Sequence, residues 1–174
     1  MVTPKSFLQK HLDHQKFLHV VDYVRKESSG IKKLSTTEIS RTNKFLAGKQ
    51  HDDDYEPYRL EAVDVILPDG RVIQFSIISN PMAKARDIIG NALFMSGNGQ
   101  GIEGAAYAYL EFVKAHLFKV ANRRTAVAAA LWVLLVSGYD CDAEKLHYIP
   151  IGDVREKDQI KEIEKQISAL VFKP

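Results

Sequence analysis

Leu8, Leu12, Leu18, Val21 and Val24 recur at near-helical spacing and predict an N-terminal helix, opened by Thr3-Pro4, running to about Lys26 and closed by Ser28-Ser29-Gly30. Ser35 with Glu38 is a capping-box pattern that starts a second helix, and Gly48 stops it. Lys49 to Pro57 is polar and acidic and reads as a loop. The period then falls from 3.6 to 2. Val63, Val65 and Ile66 precede Pro68-Asp69-Gly70, and Val72, Ile73, Phe75 and Ile77 follow it, so Tyr58 to Ile78 predicts a β-hairpin. It is the only β element expected, too small to be the core sheet of a domain.

Helical patterning resumes at Asn80-Pro81 and runs to about Met95. Ser96 to Gly101 is a Gly-rich connector, and Gly104 to His116 is a helix rich in Ala and aromatic residues. A strongly apolar helix from about Arg124 to Ser137 ends at Gly138, and Tyr139 to Asp153 reads as irregular. Ile160, Ile163, Ile167, Leu170 and Val171 share one face of a last amphipathic helix. The expected class is mainly α, a helical bundle with one hairpin. Residues 1–30 form an N-terminal helix packed on the core, and 31–174 the rest of a single globular unit.

Composition narrows the roles. With 174 residues, 45% hydrophobic and 26% charged, the chain has globular composition and length for one domain. A formal charge of +2 argues against a protein whose main task is to coat nucleic acid, and gives no electrostatic reason to sit on anionic lipid. The single cysteine, Cys141, excludes an internal disulfide framework and a multi-Cys zinc site. The apolar run Ala126 to Val136, at 11 residues, is too short to span a bilayer and reads as a buried central helix. No leader pattern is visible around Lys5 and Lys10. A cytoplasmic protein is the expectation, with neither membrane nor nucleic acid as a partner.

Candidate chemistry lies in His116-Leu117-Phe118-Lys119-Val120-Ala121-Asn122-Arg123-Arg124-Thr125-Ala126, where one helix ends and the next begins. The first turn of a helix has unpaired N–H groups and the positive end of a dipole, which suits an anion. Asn122, Arg123 and Arg124 add donors there, and an arginine fork suits phosphate oxygens. His116 is placed to act as a general base toward a hydroxyl approaching a bound phosphate. Phe118 is expected to anchor the loop in the core, and Ala121 to keep the turn narrow. The same residues also read as a helix-capping Asn, two solvated arginines and a C-terminal His.

The segment resembles the signature of the Fic/Doc (fido domain) family, His-x-Phe-x-(Asp/Glu)-(Gly/Ala)-Asn-(Gly/Lys)-Arg. The flanking helices and the hairpin beginning Tyr58-Arg59 resemble that family's neighbouring helices and its flap, so the likeness covers about residues 31 to 140. It implies a transferase that moves AMP, or phosphate in the Doc branch, from a nucleotide such as ATP to a hydroxyl side chain of a target protein. His116 would be the base, and Asn122, Arg123 and Arg124 would hold nucleotide phosphates. The flap would bind the target segment as an added strand. Arg123, where Fic members have Gly and Doc members Lys, together with Ala121 and Thr125-Ala126, sets the motif closer to Doc (death-on-curing). That branch acts as a toxin restrained by an antitoxin.

Two positions depart from the pattern. Val120 stands at the metal-binding acid and cannot coordinate Mg²⁺, which needs oxygen ligands. Val127 stands where the longer Fic pattern has a second arginine. No Ser/Thr-x-x-x-Glu-(Gly/Asn) self-inhibitory motif occurs; Glu103-Gly104 comes nearest, with Gly99 in the Ser/Thr place. The resemblance therefore leaves two functions open: an active transferase, or a degenerate Fic/Doc fold that binds nucleotide or a protein partner without turnover.

Other clusters carry less. His11, His14 and His19 share a helix without a Cys or clear carboxylate partner and read as surface or half-buried histidines. His51 with Asp52, Asp53 and Asp54 lacks calcium-loop spacing and reads as a solvated acidic loop. Gly97 to Gly101 lacks both nucleotide-loop patterns, and Cys141 lies between Asp140 and Asp142, a setting that disfavours a thiolate.

Overall fold

Every side chain from Thr125 to Leu134 is at most 1% exposed, so the most apolar stretch of the chain is the hub of the fold. In the computed structural model, which describes residues 7–30, 33–67 and 69–174, this stretch belongs to α5 (Asn122–Val136). Around it pack α1 (Phe7–Ser28), α2 (Thr36–Leu46), α3 (Pro81–Gly97), α4 (Gly101–Ala115) and the short α6 (Ala143–Tyr148). The last helix, α7 (Lys157–Leu170), lies on α4 and α6, with Ile163 and Ile167 buried. A small residue sets the closeness of α3 and α4. A Cβ on Gly104 would stand 2.6 Å from the Ala92 carbonyl oxygen, so only glycine lets α4 approach α3 so closely.

The predicted fold class is the observed one. The Thr3-Pro4 start, Pro68 of the turn, and the side chains of Leu8 and Ile160 lie outside the described residues. Several boundaries differ for physical reasons. The capping box is half formed: Ser35 Oγ accepts the Glu38 N–H at 3.3 Å, but the Glu38 carboxylate turns to Tyr23 Oη and to Arg41 Nη1 at 2.8 Å. Along α1 the buried residues are Phe17, Val20, Val21 and Val24, while Leu12 is 45% exposed.

The hairpin is shorter than the period-2 pattern. Strands β1 (Val63–Ile66) and β2 (Val72–Phe75) pair antiparallel, Val63 opposite Phe75 and Ile66 opposite Val72. The residues before β1 pair elsewhere. Tyr58 bridges Phe118, Arg59 N–H donates to Leu117 O at 3.0 Å, and Lys119 N–H donates to Pro57 O at 3.0 Å. The hairpin is also not the sole β element. Tyr139 to Asp153, expected to be irregular, contains α6 and a strand β3 (Asp140–Cys141), which pairs with β4 (Val171–Phe172). Such a two-residue ladder leaves no periodic trace in sequence. Asp142, whose Oδ1 accepts the Lys145 N–H at 2.9 Å, caps α6.

Candidate functional site

Two left-handed residues bracket the loop between α4 and α5: His116 at φ 47° and Ala121 at φ 57°. For residues with a Cβ this conformation costs about 1–2 kcal/mol each, so something must hold the loop in shape. Asn122 does much of that work. Its Oδ1 accepts the Phe118 N–H at 2.8 Å and its Nδ2 donates to the Phe118 carbonyl at 2.7 Å, in a residue only 7% exposed. Phe118, 1% exposed, stacks on Tyr58 and Phe112. The Asn122 side chain therefore faces the loop rather than the space in front of the helix.

The two arginines leave in different directions. Arg123 donates through Nε to Tyr109 Oη at 3.2 Å and through Nη2 to the Ile149 carbonyl. Arg124 turns toward α1, where Nη1 donates to the Asp13 carbonyl at 2.9 Å and Nη2 lies 3.8 Å from the Asp13 carboxylate. The loop brings His116, Asn122, Arg123 and Arg124 to one junction, but their side chains do not converge on one point. What does converge is backbone. The first hydrogen bond of α5 runs from Thr125 N–H to Ala121 O at 2.9 Å, and the earlier N–H groups of the first turn have no intrahelical acceptor.

His116 caps the C-terminus of α4, and its half-buried ring stacks on Phe75 of the hairpin, centroids 4.6 Å apart. Burial, and then the nearby Arg59 guanidinium, push its pKa from 6.5 to about 4. The imidazole is neutral at pH 7 and a weak base.

Arg59 was not legible as a site residue beyond its place at the start of the hairpin. Only 7% exposed, it spends its guanidinium on backbone carbonyls: His116 through Nε, Glu61 at 2.6 Å and Phe75 at 3.2 Å through Nη1, and Ser76 at 2.7 Å and Ala115 at 3.5 Å through Nη2. Two of these acceptors belong to the end of α4, where a cation complements the helix dipole. The hairpin is thereby fastened beside His116. Asn43 of α2, which contacts the loop from below, also escaped sequence reasoning.

Val120 is 47% exposed and offers a hydrocarbon side chain, so the residues at this position do not fit Mg²⁺. Among the described residues, no group of three or more His, Cys, Asp or Glu could hold a metal ion. Lys119 extends over the Tyr55 ring, its Nζ 5.3 Å from the centroid. Beside it, a recess of about 430 Å³ is lined by Arg59, Leu60, Glu61, Phe118 and Lys119.

A second histidine, His147 on α6, is also driven to about 4, by burial and then by Arg123, Arg124 and His14. Both folded-state values lie below the ordinary 6.5. Their contribution to stability is therefore fully present above pH 6.5 and lost as pH falls toward 4, because the unfolded chain takes up protons that the folded one refuses. Calorimetric unfolding is expected to show the thermal midpoint falling across that window. The double variant His116→Gln, His147→Gln is expected to flatten that fall; an unchanged profile would remove this account.

No protein-family model matches the chain, and no curated protein matches it in sequence. Its fold is similar to the crystal structure of a Fic domain-containing signalling protein from Bacteroides thetaiotaomicron. The TM-score is 0.69 at 15% sequence identity, over 98% of this chain and 71% of that one. At this identity the likeness establishes a Fic-like helical fold. No described helix is long and apolar enough to cross a membrane.

Proposed function

We propose that the chain is a Fic-type domain that binds the phosphates of a nucleotide such as ATP at the start of α5, without metal-assisted transfer. The observation that carries this reading is the loop itself. Its αL residues and the Asn122 clamp keep a shape that leaves first-turn N–H groups available to an anion, while Val120 offers no oxygen to a metal. Arg123 and Arg124, both in the first turn of α5, add two positive charges. A phosphate that recruits Arg124 must replace the Asp13 carbonyl at 2.9 Å.

A second reading is favoured by His116, a neutral imidazole stacked on Phe75 at the hairpin's edge. On that reading His116 takes the proton of a target hydroxyl. The oxygen then attacks a nucleotide phosphorus: at the α-phosphorus AMP is transferred and pyrophosphate leaves, or at the γ-phosphorus, in the manner of the Doc branch, phosphate is transferred and the nucleoside diphosphate leaves. The target segment would lie along the hairpin, and an antitoxin chain would restrain the enzyme. The low basicity of His116 weakens this reading, since a general base works best with a pKa near the working pH.

Calorimetry with ATP separates the two. The expected result is binding that does not respond to Mg²⁺, weakened about tenfold or more by Arg124→Gln, which removes a charge-assisted contact of about 1.5–3 kcal/mol. With labelled ATP and a cell extract, no label is expected on protein. Transfer that disappears in His116→Ala would replace the binding reading with the transferase, and a lack of any ATP affinity would end both. Val120→Asp is expected to make ATP binding Mg²⁺-dependent.

A further inference from the structure

Asn43 lies in α2, 77 positions before Val120, and is 0% exposed. Its Nδ2 donates to the Val120 carbonyl at 2.9 Å and to Thr125 Oγ1 at 3.0 Å. Thr125, also fully buried, passes the contact on: its hydroxyl donates to the Ala121 carbonyl at 3.0 Å. One amide from another helix therefore holds the Val120 carbonyl directly and reaches the Ala121 carbonyl through Thr125, whose N–H donates to the same oxygen at 2.9 Å. It does so at a cost, because Asn43 Oδ1 is buried without a hydrogen-bond partner. A leucine would fill similar space with no orphaned oxygen, so packing alone does not account for asparagine here.

Peptide planarity gives the consequence. In a trans peptide the N–H points opposite to the C=O of the preceding residue. Drawing the Val120 and Ala121 carbonyls toward α2 and Thr125 turns the Ala121 and Asn122 N–H groups the other way. Two successive N–H groups so aligned form an anion-binding concavity. We infer that Asn43 is a positioning residue for phosphate binding, aiming the Ala121 and Asn122 N–H groups through Val120 and through Thr125. The inference rests on the phosphate-binding reading above. It adds that the site's geometry is set by α2, outside the motif.

The test titrates inorganic tripolyphosphate into the full chain, by calorimetry and by amide chemical shifts. In the wild type the Ala121 and Asn122 amides are expected to move on titration. Asn43→Leu is expected to weaken binding about tenfold or more and abolish those movements. Ile39→Val, which destabilises the same helix, leaves both intact and so separates positioning from loss of stability. Thr125→Val, which keeps the shape but removes the relay hydroxyl, is expected to weaken binding in the same sense and replaces Asn43→Leu if that variant does not fold. Unchanged affinity in the folded variants overturns the inference. If the wild type itself binds no tripolyphosphate, the phosphate reading fails separately, and backbone chemical shifts decide whether Asn43 positions the loop. Shifts altered at Val120 to Asn122 alone in the variants sustain that positioning, and shifts altered uniformly along α5 remove it.

Discussion

Replacing Arg59 with methionine is expected to destabilise the protein by about 2–4 kcal/mol, the scale for leaving several buried carbonyls without their donor, partly relieved by water. The guanidinium donates to five carbonyls, from His116, Glu61, Phe75, Ser76 and Ala115. Methionine fills much of the volume, but the carbonyls lose their donors where water has little access. Arg59→Lys keeps the charge but not the planar fork, and is expected to recover part of the loss. Denaturant unfolding measures both variants. A second readout follows from electrostatics. Arg59 helps hold His116 near 4, so in Arg59→Met the imidazole is expected to titrate closer to 6.5 by NMR. A loss below about 1 kcal/mol with an unmoved His116 titration would show that the hairpin is held by other contacts.

Asn122→Ala is the second large effect. It removes hydrogen bonds of 2.8 and 2.7 Å to both polar atoms of the buried Phe118 peptide groups. At about 1–3 kcal/mol for each buried group left unpaired, partly relieved by water entering the loop, the expected loss is about 2–4 kcal/mol. The strained residues His116 and Ala121 lose the clamp that holds them, so ATP affinity is expected to fall along with stability. Asn122→Asp sharpens the test. Its carboxylate still accepts the Phe118 N–H but faces the Phe118 carbonyl without a proton to donate, so it is not expected to rescue the fold. Equal stability of Asn122→Asp and wild type would mean that only the N–H contact matters.

Much of the fold was legible because its signals are local. The Ala-rich pattern of α4, the uninterrupted apolar α5 and the Pro-Asp-Gly turn each announce an element within a dozen residues. Helix ends at Gly48 and Gly138 carry positive φ, as their glycines suggest. The β3–β4 ladder and α6 escaped because two-residue strands and a six-residue helix have no period to read. The candidate site was legible only as an address. His-x-Phe and Ala-Asn-Arg-Arg marked the junction, but residue type does not reveal where a long side chain ends.

Sequence by itself determined the helical class, the central burial of α5, the place of the loop and the hydrocarbon at position 120, since each follows from local periodicity or from the chemistry of a single side chain. Only the tertiary structure decided the partners: Arg124 with Asp13 of α1, Arg123 with the Ile149 carbonyl, Arg59 with the end of α4, and Asn43 with Val120. Those pairs join residues far apart in the chain, and their geometry exists only after the helices have packed. Until then each donor is satisfied by water, and nothing in its neighbours along the chain distinguishes a solvated arginine from one that fastens a loop.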